Sequence, residues 1–96
     1  MTLRISPKAL DDIAGIRAYL LPRSPQGAER VRRPIAADLD FLGRFPRSGR
    51  ATDIADVRVL PVVRYPSLIY YTVSGDEIIV VHVRHSSRDA PALSDF

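Results

Sequence analysis

The stretch from residue 57 to residue 89, VRVLPVVRYPSLIYYTVSGDEIIVVHVRHSSRD, constrains the fold more than any other part of the chain. Three runs rich in Val, Ile and Tyr occupy residues 57–63, 67–73 and 77–84. Only Arg64-Tyr65-Pro66 and Ser74-Gly75-Asp76 separate them. β-branched and aromatic runs of this length read as strands, and breaks this short permit only antiparallel hairpins. A parallel arrangement of the three would need long crossovers for which no residues remain. The last run passes abruptly into Arg84, His85, Ser86, Ser87, Arg88 and Asp89, so a hydrophobic strand delivers an Arg/His cluster at its exit.

The first half reads as helical. Thr2 to Ser6 alternates polar and apolar, which predicts a short strand at a sheet edge. Ser6-Pro7 and Ser24-Pro25 each combine a capping serine with a proline at the first helical position. The first predicted helix places Leu10, Ile13, Ala14, Arg17 and Leu21 on one stripe, with Ile16 and Leu20 beside it, and stops at Pro22. Asp11 and Asp12 fall early in this helix, where carboxylates favour its dipole. The second carries Ala28, Val31, Ile35, Leu39 and Leu42 at amphipathic spacing. Pro34 interrupts it and predicts a kink or break around residues 32–34, because it removes a backbone bond and clashes with the carbonyl four residues earlier. Phe45-Pro46-Arg47-Ser48-Gly49-Arg50 reads as a loop with Phe45 plugging the core edge. The expected architecture is α+β, in the order β-α-α-β-β-β: one domain over residues 1–96, with a helical hairpin on one face of a small antiparallel sheet.

Ninety-six residues, 46% apolar and 26% charged, suit a small globular domain. Cysteine is absent, so disulfides and thiolate metal sites are excluded. No cofactor and no metal is expected. No apolar run approaches the roughly 20 residues needed to span a bilayer, and the N-terminus has no secretory pattern, so a cytoplasmic location without membrane contact is expected. The net charge of +3 is unevenly placed. Residues 1–50 hold ten basic against five acidic side chains, and residues 51–96 hold four against six. Nearly all the cations are Arg, which suits bidentate contact with carboxylate or phosphate. A basic helical half fits nucleic acid or an acidic protein partner, and charge alone does not choose between them.

Period-2 alternation on the last strand puts Ile79, Val81, Val83 and His85 on one face and Ile78, Val80, His82 and Arg84 on the other. The more apolar first set is assigned to the helix-packed face. His82 and Arg84 would then project from the opposite face, where Tyr, His and Arg together could bind an anion or stack a base. Each candidate has a structural reading beside the functional one. His85 could instead bond backbone or Asp89 at the strand exit, Arg88-Asp89 could form a local ion pair, and Arg58 could pair across strands. Tyr71 reads as a packing residue, and the run of Arg30, Arg32 and Arg33 as either a solvated helix face or a contact for an acidic target.

The second half resembles the ParE-type toxins of the RelE/ParE superfamily. The shared features are Arg58 opening a strand, Tyr65-Pro66 leading into Leu68-Ile69-Tyr70-Tyr71, the Gly75-Asp76 turn and the closing His85, Arg88 and Asp89. The N-terminal half agrees in its short strand, SPKALDDI, the helix opening at Ser24-Pro25, and FPRSGR, so the resemblance covers nearly the whole chain. It implies a RelE/ParE-like fold and a toxin that traps DNA gyrase on cleaved DNA. A ParD-like antitoxin would neutralise it and would supply the only contacts to operator DNA. Target or antitoxin contacts would come from Arg30, Arg33, Arg58, Arg84 and Arg88, with His85, Asp89 and Tyr71 as structural residues. The alternative is a RelE-like, ribosome-dependent and metal-independent endoribonuclease using His82, His85, Arg58, Arg84 and Arg88. Lysine is absent after Lys8 and the tail has no Tyr, departures that favour the ParE branch.

Overall fold

A computed structural model of the chain describes residues 2–62 and 67–85. The elements run β1 (Thr2–Ile5), α1 (Pro7–Leu20), α2 (Pro25–Arg44), β2 (Arg50–Ala51), β3 (Val57–Pro61), β4 (Ser67–Ser74) and β5 (Glu77–His85). Together the strands form one sheet in the order β1-β5-β4-β3-β2. β3, β4 and β5 make the expected antiparallel meander, and Gly75, at φ 57°, turns the two-residue loop between β4 and β5. Two features depart from the expected order. A two-residue strand, β2, forms on the outer side of β3, and β1 pairs with β5 in parallel over Thr2–Ile5 and Glu77–Val80. The meander fixes only the directions of its own members. β1 reaches β5 through the whole rest of the chain, so either direction was open to it.

Both capping serines act as the sequence indicates. Ser6 Oγ accepts from the Ala9 N–H at 3.1 Å, and Ser24 Oγ from the Gly27 N–H at 2.9 Å. α2 is continuous from Pro25 to Arg44 through Pro34, so the expected break does not occur. The lost backbone bond costs about 3 kcal/mol in a helix interior. Burial of Ile35 and Leu42, with Leu39 packed beside them, offsets it on the far side of the proline.

α1 is rotated from the expected stripe. Ala9 is fully buried and Ile13 and Ile16 pack on the core, whereas Leu10 is 52% exposed and Leu21 40%. The buried stripe therefore includes two polar residues, Ser6 and Asp12, that bond to β5 and set the helix rotation. Phe45 does not plug the core edge either. Its N–H bonds to the Phe41 carbonyl at 2.8 Å, which continues the helical spacing and stacks the two rings on the surface, 4.9 Å apart.

The face assignment of β5 changes at a bulge. Tyr70 lies opposite His82 but Tyr71 lies opposite Val80, so Val81 is an extra residue. The insertion shifts the alternation by one. Ile78, Val80 and Val83 all join the cluster beneath the helices, with Ile69, Tyr71 and Val62. Val81 joins a second cluster formed by Val57, Val59 and Tyr70. A regular strand would have placed Ile79 and Val81 under the helices instead.

Pro34→Ala restores a donor to the Arg30 carbonyl. It should raise stability by about 1–2 kcal/mol, since part of the recovered bond is offset by the greater freedom of the unfolded chain. Urea denaturation should show a higher midpoint at an unchanged slope. An unchanged midpoint would mean that the folded helix bears no cost at Pro34.

Candidate functional site

The densest polar constellation joins α1 to β5. β1 covers β5 only as far as Val80, where the Ser6 N–H donates to the Val80 carbonyl at 2.9 Å. Beyond that point α1 supplies side chains in place of a strand. Ser6 Oγ donates to the Val81 carbonyl at 3.2 Å, and Asp12 Oδ2 accepts from the Val83 N–H at 3.1 Å. The same oxygen lies 3.2 Å from His82 Nδ1, while Asp12 Oδ1 takes Lys8 Nζ at 2.8 Å. Partial burial pushes the Asp12 carboxyl up, but hydrogen bonds from Lys8, the Val83 N–H and His82, with the charge of Lys8, outweigh it and hold the carboxyl below its usual value. An ionised Asp12 accepts from every partner, so His82 carries its proton on Nδ1 in this pair.

His82 lies opposite Tyr70 of the second cluster, the face where regular alternation put it, but that position is closed rather than open. It is fully buried at the bulge and turned to α1. Tyr70 and Tyr71 are also buried, so no Tyr/His/Arg platform is exposed there. Arg58 and Arg84 lie on opposite faces. Arg58 is in register with Tyr71, beneath the helices, and Arg84 with Leu68, beside the second cluster. Both are half-buried.

Arg58 has a defined task. Its Nη1 donates to the Gly49 carbonyl at 2.7 Å, while the Gly49 N–H donates to the Tyr71 hydroxyl at 2.8 Å. The loop after α2 is thus clamped by both polar groups of one glycine. A Cβ on Gly49 would sit 2.5 Å from the Tyr71 hydroxyl and 2.9 Å from the Val59 carbonyl, so the close approach requires glycine. Arg30 and Arg33 are exposed on α2 and line an open cleft with Pro25 and Gln26. His85 ends β5 opposite Ser67, and its side chain, with Arg88 and Asp89, lies outside the described residues.

Asp12 and Gly49 carry these junctions, and neither stood out as a site in the sequence. For Asp12 a signal existed: a carboxylate set among Ala9, Ile13 and Ile16 on the buried side of a helix needs partners. For the loop glycine no comparable pattern is visible. Chemically, the described residues position a helix and a loop on a sheet. They do not bring an acid, a base and two cations to one open pocket, as RNA cleavage requires. No described helix is long and apolar enough to cross a membrane.

Raising the pH through the Asp12 range should stabilise the fold. The carboxyl is depressed in the folded state, so its contribution is present above the unfolded value, about 3.9, and is lost as pH falls through the folded one. Asp12→Asn should cost about 1–3 kcal/mol at pH 7. The gap to wild type in thermal melts should narrow below about pH 4. A gap that stays constant to pH 2 would show that the ionised carboxylate contributes nothing.

Comparison with known proteins agrees with this architecture. The family model described as the ParE toxin of type II toxin–antitoxin system, parDE, matches residues 3–90. Toxin RelE2 of Caulobacter vibrioides is 35% identical over 81 residues, covering 84% of this chain and 90% of that protein. Y4kP of Sinorhizobium fredii is 32% identical over 91 residues, covering 95% of this chain and 94% of that protein. Among solved structures, a chain of the chromosomal ParDE toxin–antitoxin system of P. aeruginosa superimposes with a TM-score of 0.78, at 24% identity and over 88% of this chain and 95% of that one. The chain belongs to the ParE toxin family of type II toxin–antitoxin systems.

Proposed function

We propose that this toxin acts on DNA gyrase in the cytoplasm, holding it on cleaved DNA and blocking replication, and that a ParD-like antitoxin neutralises it. Family membership supports a toxin with an antitoxin partner. The choice of target rests chiefly on one observation: His82 is fully buried and tied to Asp12. A general acid or base must reach the substrate, and this imidazole has no exposed surface. With Tyr70 and Tyr71 buried and Arg58 clamping Gly49, the described residues favour recognition by surface contact over RNA cleavage. Contact with operator DNA comes through the antitoxin in this reading.

The antitoxin would cover the helical hairpin, whose outer surface carries Leu10, Leu21 and Phe41, each at least 40% exposed. A disordered segment folding onto such a surface gains apolar burial against its ordering cost. Ribosome-dependent cleavage of messenger RNA is the second reading. The relative named Toxin RelE2 favours it, and it would have to draw on His85 and Arg88.

Purified protein added to gyrase should abolish supercoiling and accumulate cleaved DNA, while messenger RNA on translating ribosomes stays intact. Cut messenger RNA with unimpaired gyrase would transfer the chain to the second reading.

A further inference from the structure

Gln26, Arg30 and Arg33 are spaced four and three apart, so they share one face of α2. At 100° per residue this face lies opposite the stripe of Ile35, Leu39 and Leu42 that packs on the sheet. With Pro25 the three residues line an open cleft of about 440 Å³. Both arginines are exposed. Three other surface cations are paired: Arg4 with Glu77, Lys8 with Asp12 and Arg44 with Asp40. No carboxylate pairs with Arg30 or Arg33 among the described residues. Further along the same face come Ala37 and then the Asp40–Arg44 pair, at 2.6 Å. Along this face of α2, uncompensated positive charge among the described residues therefore falls in the first half of the helix, beside a recess.

We propose that this cleft seats an acidic segment of a partner polypeptide, with its carboxylates on the Arg30 and Arg33 guanidinia. Two arginines one turn apart can each hold a carboxylate in fork geometry, and Pro25 and Gln26 wall the recess in which the segment lies. The confinement of the charge favours a short acidic peptide over nucleic acid. A phosphate backbone gains affinity from cations repeated along its path, and the Asp40–Arg44 pair ends that path within three turns. The inference rests on the reading of the chain as a toxin held by a partner protein and names the chemistry by which part of that partner is recognised.

The probe is a fluorescently labelled hexaglutamate peptide, followed by anisotropy against the full chain, with a labelled DNA duplex in a parallel titration. Arg30→Ala/Arg33→Ala should weaken peptide binding at least tenfold. Arg47→Ala/Arg50→Ala, which removes two exposed cations from the loop region, should change it less than twofold. Alanine favours helix at both α2 positions, so the fold is retained. Equal weakening by both pairs would overturn the proposal in favour of diffuse charge attraction. Failure of the peptide to bind would overturn it too, as would DNA binding that depends on Arg30 and Arg33. The target assignment fails separately. A chain that leaves gyrase untouched but binds the peptide through these arginines keeps the cleft, and one that inhibits gyrase without binding it loses the cleft alone.

Discussion

Asp12 closes the point at which the sheet runs out of strands. β5 is nine residues long and β1 covers only its first four. An uncovered strand edge presents unpaired N–H and C=O groups and invites pairing with another chain. Here the next outward groups, the Val81 carbonyl and the Val83 N–H, are taken by Ser6 and Asp12. Helix α1 thus acts as a lateral cover for the sheet as well as a layer upon it. Its rotation follows, since a helix anchored by residues 6 and 12 must present Ala9, Ile13 and Ile16 to the core. The exposed position of Leu10 is a consequence of the same two bonds.

The sequence was legible where its signals were local. The serine-proline caps, the strand runs and the Gly75-Asp76 turn mark α1, α2 and the meander within a residue or two, because caps and turns are decided by neighbouring residues. The elements that depended on distant partners were less legible. β1 chose its direction from a strand more than seventy residues away, and β2 is two residues long, below the length at which alternation has meaning. Continuity of α2 through Pro34 is likewise a tertiary result, because packing on the far side of the proline outweighs a local penalty.

The site suffered most from one residue. A single extra position, Val81, shifts the phase of β5 so that Ile78 and Val80 lie beneath the helices, while His82 keeps the face of Tyr70 opposite it and is buried in contact with Asp12. Pattern reading assumes unbroken period 2, and a bulge leaves no mark that alternation alone can detect. Burial against Asp12 takes the histidine out of reach of any substrate. Arg58 has a structural task on the loop through Gly49, and Arg84 sits on the other face. What the surface offers instead is apolar side chains on the helices and the exposed Arg30 and Arg33 on α2, which are means of gripping another protein.

His82 is a member of the α1–β5 junction, where it contacts Asp12 at 3.2 Å. A double-mutant cycle with Asp12→Ala, His82→Ala and the double variant, read by denaturant unfolding, measures their coupling directly. The predicted result is an interaction energy of about 1–3 kcal/mol, with each single variant destabilised and the double variant less so than their sum. Losses that add to within about 0.5 kcal/mol would contradict it and would return His82 to the pool of residues free to act elsewhere.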